Sequence, residues 1–417
     1  MIAIDNHNSP TEDNPLSALP STAMDSSIPT PEDSSFQSSS KRPEILLPAE
    51  IIAQILTHIP LRQTNQPTFW ACTLTSRSWY RASITLLYHR PYITPNNFSL
   101  FVRTICPSKN AHIKHTPLSP LVHRLDMGSL VHNSSKSLTA RLLGRLKGNI
   151  HQFVAPQASF AINSFAALGK CTEMRLLDLS LISASISNKI LFQTLSHLGE
   201  LETLFFPRSS ALDQLETDTA PYVWPPKLGA LHLAGGITDR FLWTHMGTLP
   251  DTLRTLSIQH CSQIHQHSVV HVLEILGRQL THITIRHPMN HLSTSSLDDL
   301  LLLCPSLLAL RISADFISPL LFAAGNIPEG HPLRILDLEC SPDANADVDM
   351  PPNVLYEAVE GGWLSDLRSV RVSVRLAWGA SEKTRRDASD LLEVMEEGEM
   401  ERPIGVPAEV LLSMPDT

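Results

Sequence analysis

Residues 253–285 read LRTLSIQHCSQIHQHSVVHVLEILGRQLTHITI, and this stretch decides the fold. Leu253, Leu256 and Ile258 form the pattern apolar-x-x-apolar-x-apolar, and Leu280, Ile283 and Ile285 repeat it 27 residues later. The end of each triplet alternates apolar with polar, as a strand with one buried face does. Between the triplets, SVVHVLEILGR carries its apolar residues at helical spacing. Working outward, the same triplet starts at Val122, Ile150, Met174, Leu201, Leu228, Leu307, Leu333 and Leu367. Successive starts lie 24 to 28 residues apart, with a last gap of 34. Ten triplets in phase make a repeat, each unit a short strand followed by a helix. A single unit cannot cover its own apolar face, so the units must stack into a curved solenoid. The fold class is α/β: a curved parallel sheet, about 43 Å long at ~4.8 Å per strand, with helices outside.

The residues between the strand leucines point to the open, concave face. They are Asp126, Asp178, Phe205, His232, Ser257, Thr284, Arg311, Asp337 and Arg371, flanked by Gln259, Arg286, Glu339 and Ser373. From these, Asp178, Phe205, His232, Gln259, Arg286, Arg311, Asp337 and Arg371 are the candidates for contact with a protein target. The plainer alternative is that a solenoid is polar there merely to stay in solution.

A second pattern precedes the repeats. Residues 47–59 read LPAEIIAQILTHI and residues 69–88 read FWACTLTSRSWYRASITLLY. Pro48 is placed to open a helix, and Glu50 follows in the first turn where the helix dipole favours an acid. Ile51, Ile52, Ile55, Leu56 and Ile59 make one wide apolar face. Phe69, Trp70 and Leu74 follow, then Ser76 as an N-cap before a third helix carrying Trp79, Ala82 and Leu86. About 45 residues are too few to bury this much apolar side chain privately, so the surplus marks a partner site.

These marks, Leu47-Pro48-x-Glu50-Ile51, Ile55-Leu56 and Leu74-x-Ser76-Arg77-x-Trp79, resemble the F-box, and the run RSWYRASITLLYHRPYI is similar to its fungal version. The resemblance implies docking to the Skp adaptor, and through it to a cullin, by Leu47, Pro48, Ile51, Ile55, Leu56, Leu74 and Trp79. The loop from Arg62 to Thr68 is longer than the commonest F-box spacing. An ordinary helical hairpin capping the solenoid is the other reading. The repeats in turn resemble the cysteine-containing leucine-rich repeats of F-box/leucine-rich-repeat proteins, with Cys171 and Cys304 three residues before a repeat start and Cys261 after a strand. A small, weakly hydrogen-bonding group suits that crowded turn, so these thiols are expected to be buried and inert.

Composition excludes several classes. The chain has 417 residues, and of its formal charge of −9 residues 1–42 carry −4 and residues 381–417 carry −6, leaving the body near neutral. No basic footprint for nucleic acid exists. Six cysteines without a Cys-x-x-Cys pair argue against a disulfide framework or a thiolate zinc site. The amino terminus lacks the basic and apolar regions of a signal peptide, and no apolar run reaches the ~18 residues of a membrane span. A cytoplasmic or nuclear protein is expected. Asp343, Asn345, Asp347 and Asp349 alternate like a calcium loop but lack its glycine and final glutamate, and His260, His265, His267 and His271 cluster without a firm ligand pattern. No phosphate-cradling loop or catalytic motif is found, so no catalytic residue, metal or cofactor is assigned.

The expected organisation is a disordered Ser/Pro-rich acidic leader (1–42), in which Thr30-Pro31 could accept a phosphate. An F-box-like helical domain (43–90), a connector (91–120), the solenoid (121–380) and an acidic tail (381–417) follow. The tail is read either as an amphipathic helix capping the open end or as a solvated extension. The function this implies is the target-recognition subunit of an SCF-type ubiquitin ligase. The alternatives are an F-box scaffold acting outside ubiquitination and a leucine-rich-repeat activator of a small GTPase.

Overall fold

The computed structural model describes residues 47–108, 116–130, 136–158, 160–208, 210–211, 220–341 and 348–414. The leader with Thr30-Pro31, and Asp343, Asn345 and Asp347, lie outside these residues. From Pro48 onward the chain forms one continuous unit.

Three helices open it: α1 (Ala49–Thr57), α2 (Gln66–Thr75) and α3 (Arg77–His89). Pro48 sits at the N-cap of α1, one position earlier than a helix-opening proline, and its carbonyl accepts from Ile52 N–H at 3.1 Å. Ser76 caps α3 as expected, its hydroxyl accepting from Trp79 N–H at 3.3 Å. The buried apolar core between these helices is Ile52, Leu56 and Phe69, with Ile59, Leu61, Cys72, Trp79, Ala82, Leu86 and Leu87 packed half-buried around them, and Ser83 of α3 is buried as well. Such a core is small, and the unit also leans on its neighbour. The His89 carbonyl ending α3 accepts from His123 N–H at 3.1 Å, on the row of backbone bonds that joins each coil to the next. The fourth helix, α4 (Phe98–Ile105), turns Phe98, Val102 and Ile105 into the solenoid and closes its first coil.

Among the described residues the main sheet has eleven strands, all parallel and in chain order. They are β1 (Arg124–Asp126), β2 (Gln152–Val154), β3 (Leu176–Asp178), β4 (Thr203–Phe205), β5 (Ala230–Ala234) and β6 (Thr255–Gln259), then β7 (His282–Arg286), β8 (Ala309–Ser313), β9 (Ile335–Glu339), β10 (Ser369–Ser373) and β11 (Glu409–Met414). The first ten each begin two residues after a triplet start. The middle triplet residues stand in one row: Leu125, Phe153, Leu177, Leu204, Leu231, Leu256, Ile283, Leu310, Leu336 and Val370. All ten are buried, which is why the triplet repeats.

Two details of the coils follow from crowding. Gly235 holds φ of +73° where the chain leaves β5, and a Cβ there would collide with the Arg208 carbonyl. Cys171, Cys261 and Cys304 are buried, and burial pushes each thiol up to about 12, consistent with inert packing groups.

The carboxyl-terminal segment adds a strand that the ten-repeat reading does not contain. A helix, Glu382–Glu401, starts from a Ser381/Thr384 capping box and buries Ala388, Leu391 and Met395. β11 then pairs in parallel with β10. Arg368 fastens this end: fully buried, it donates to the carbonyls of Leu367 at 2.7 Å and Gly398 at 2.6 Å. The sequence pattern does not mark this repeat, because Pro407 occupies the position of the leading leucine and a 20-residue helix stretches the spacing.

Candidate adaptor face and target-binding surface

The apolar residues of the three-helix unit divide into a core and two outward stripes. On α1, Ile51 and Ile55 are exposed one turn apart, while Ile52 and Leu56 point inward. On α2, Trp70 and Leu74 are likewise one turn apart, 58% and 67% exposed, while Phe69 is buried. Tyr80 is exposed on α3. Pro48 and Leu47 are exposed at the start of the described residues. α1 and α2 thus carry apolar residues beyond the face that packs inward, one set folding the unit and the other left uncovered.

Two of the residues expected to touch an adaptor are placed differently. Leu56 is completely buried, and Trp79 is half-buried against the same core. Both pack into the core between the helices, whereas Ile51, Ile55 and Leu74 are exposed. Trp70 and Tyr80, which motif matching does not single out, are open to solvent; the i, i+4 spacing of Trp70 with Leu74 was the available signal.

On the concave face, strand register brings Asp178, Phe205, His232, Ser257, Thr284, Arg311, Asp337 and Arg371 into one row. The candidates in it behave differently along its length. Asp178 is turned to its own chain, accepting from the Ser180 backbone N–H at 2.9 Å and hydroxyl at 2.6 Å. Phe205 stacks on His232 with ring centroids 4.0 Å apart and planes 4° from parallel. Burial holds the His232 imidazole below its ordinary pKa, and the Asp178 charge pulls it partly back. Gln259 donates to the Ser257 hydroxyl at 2.6 Å.

Arg286, Arg311, Asp337 and Arg371 are brought together with Glu339 and Glu409 into one ion-pair ladder. Arg286 pairs with Glu339, and Arg311 reaches Glu339 at 2.5 Å and Asp337 at 3.7 Å. Arg371 lies 3.9 Å from Asp337 and 3.4 Å from Glu409. Glu409, from β11, also accepts from the Ser369 hydroxyl at 2.7 Å. Asp337 and Glu339 are nearly buried. Burial raises the Asp337 carboxyl above its usual range; Arg311 and Arg371 pull it down, and Glu339 and Glu409 push it up. Three guanidinium groups facing three carboxylates balance the charge of this half of the face, while Arg311 Nε, Asp337 Oδ1 and Arg371 Nε are buried without a hydrogen-bond partner among the described residues.

The histidine cluster resolves into separate pairs. His265 bonds Asp239 at 2.6 Å and stacks on His291 at 4.0 Å, whereas His271 stacks on Trp243 at 3.5 Å. Among the described residues no group of three or more side chains could hold a metal ion. No helix among them is long and apolar enough to cross a membrane.

The structure thus defines a class: a leucine-rich-repeat solenoid carrying an amino-terminal three-helix module with uncovered apolar stripes. The sequence places the chain among named relatives. It is a homologue of F-box protein YDR306C of Saccharomyces cerevisiae, 32% identical over 313 residues, which cover 73% of this chain and 63% of that one. It is also 29% identical over 353 residues to protein pof5 of Schizosaccharomyces pombe, covering 84% of this chain and 96% of that one. The chain therefore spans less than two thirds of the first relative and nearly all of the second. No family model matches the sequence. A chain in the crystal structure of the yeast Rad7 and Elc1 complex is similar over 78% of this chain and 87% of its own, at a TM-score of 0.44 and 14% identity.

Proposed function

We propose that the chain is the target-recognition subunit of an SCF-type ubiquitin ligase. The helical module docks on a Skp adaptor, and the solenoid holds a protein target. One observation carries the reading: a module with three fully buried core residues leaves Ile51, Ile55, Trp70 and Leu74 exposed, in a homologue of a yeast F-box protein. Apolar stripes on so small a unit are covered when a partner is bound. The His123 N–H donates to the His89 carbonyl, which ties the end of α3 to the first coil of the solenoid. Such a link raises the effective concentration of target lysines at the ubiquitin-loaded enzyme brought by a cullin. The chain then acts by proximity, and no residue of it enters a covalent step.

Co-purification tests the reading. The full chain, expressed with the adaptor and cullin of its source, is expected to recover both in stoichiometric amounts. Recovery of the adaptor without the cullin would move the chain to an F-box scaffold outside ubiquitination, and recovery of neither would end the ligase reading.

A further inference from the structure

We propose that the cleft between the helical module and the first strands of the solenoid grips an extended acidic segment of the target. This deepens the reading above by naming where on the solenoid the target is held and by what chemistry. The cleft measures about 740 Å³, within the range of pockets that bury most of a bound ligand. The loop Leu61–Thr64 forms one wall and Arg90–Ile93 another, while Arg124, Asp126, Gly128 and Val154 make the floor.

The Leu61–Thr64 wall overlaps the start of the Arg62–Thr68 stretch expected as a long loop, which is not a loop throughout: Gln63–Asn65 form a 3-10 turn and Gln66 already begins α2. Asn65 donates its side-chain amide to the Pro60 carbonyl at 2.8 Å. Gln66 donates to the Arg90 carbonyl at 3.0 Å, tying this wall to the next. These bonds hold the wall that carries Arg62 against the one that carries Arg90, and both arginines line the cleft.

Charge selects the occupant. Arg62 and Arg90 are exposed and make no ion pair among the described residues. Asp126 is the carboxylate on the floor, and it is already engaged by Arg124 at 2.8 Å and by Gly128 N–H at 3.1 Å. The lining thus keeps two uncompensated guanidinium groups, well suited to carboxylate or phosphate oxygens. Tyr92 and Leu181, both about two fifths exposed, offer apolar surface beside them. The far half of the concave face offers the opposite, because its arginines are spent on Asp337, Glu339 and Glu409. Single exposed ion pairs contribute little, so recognition requires several acidic groups on one segment.

The test uses the full chain on an array of 12-residue peptides whose central positions are fixed as Glu, phosphoserine, Ala or Lys among mixed apolar residues. Hits are then titrated by fluorescence anisotropy at two salt concentrations. Glu peptides are expected to bind at least tenfold tighter than Lys peptides and to weaken with salt; phosphoserine peptides binding tighter still support a phosphate-bearing target. The double variant Arg62→Glu/Arg90→Glu should erase or invert the preference at an unchanged melting temperature, while Arg386→Glu, on the distant terminal helix, should leave it intact. If the double variant melts early, Arg62→Gln alone should still cost several-fold. Equal binding of Glu and Lys peptides, or a preference untouched by the arginine changes, overturns the proposal. Adaptor co-purification from the same preparations separates the two readings. A lost adaptor with the peptide preference intact sinks the ligase assignment alone, and the reverse result sinks the cleft alone.

Discussion

Replacing Trp70 and Leu74 together by alanine gives the sharpest test of the adaptor face. Both side chains project from α2 into solvent, so their removal takes nothing from the Ile52, Leu56 and Phe69 core. Trp70 is 58% exposed; of the ~200 Å² that such an aromatic buries, about 115 Å² remain to be covered by a partner, or about 3 kcal/mol at ~25 cal/mol per Å². Leu74, 67% exposed, adds about two thirds of the ~2 kcal/mol for burying a leucine. Together they amount to about 4 kcal/mol, or roughly a thousandfold in Kd at ~1.4 kcal/mol per decade. Biolayer interferometry against the purified Skp adaptor measures the Kd, and circular dichroism melting confirms the unchanged fold. A Kd within threefold of wild type, with the fold intact, would refute the assignment of this stripe as an interface.

Other outcomes follow from single positions. Leu56→Ala should lower stability by about 2–5 kcal/mol, because it empties a completely buried site in a small core, and urea titration of the full chain will read it as an early loss of helix signal. His245 is buried beside Tyr222 and Phe241, and burial first, then Arg240, lowers its imidazole to about 4. The unfolded chain therefore takes up this proton first: stability is full above pH ~6.5, falls as pH drops toward 4, and levels off below, for about 3 kcal/mol in all. His245→Gln, which keeps an acceptor for the Tyr222 N–H, should flatten that slope in urea titrations at pH 7 and 4.5; an unchanged slope would assign the loss to other groups. Gly235→Ala should cost at least about 2 kcal/mol in thermal unfolding, combining a left-handed backbone with a collision at the Arg208 carbonyl.

Much of the fold was legible in the sequence because one physical constraint recurs. Every coil must bury the same three positions in and just before its strand, so Leu125 through Val370 mark the sheet at a steady period. The caps were legible for the same local reason: Ser76 needs only the backbone three residues on. Sidedness within the helical module was not. Leu56 and Trp70 both belong to apolar patterns, and periodicity cannot say which apolar side faces two neighbouring helices and which faces water. Packing of α1 and α2 against α3 decided that, placing Leu56 inside and Trp70 outside.

The concave face divides the same way. Its membership follows from strand alternation, so the sequence by itself determined that Arg286, Arg311, Asp337 and Arg371 share a surface. Who pairs with whom depends on register across coils. Arg286 reaches past β8 to Glu339, 53 residues away, and Arg371 reaches Glu409 on a strand whose leading leucine is a proline. Only the tertiary structure could show that this half is neutralised while the cleft beside Arg62 and Arg90 keeps its charge. A local period specifies which face a residue occupies, whereas an ion pair is a distance, and distances between remote residues exist only once the coils have stacked.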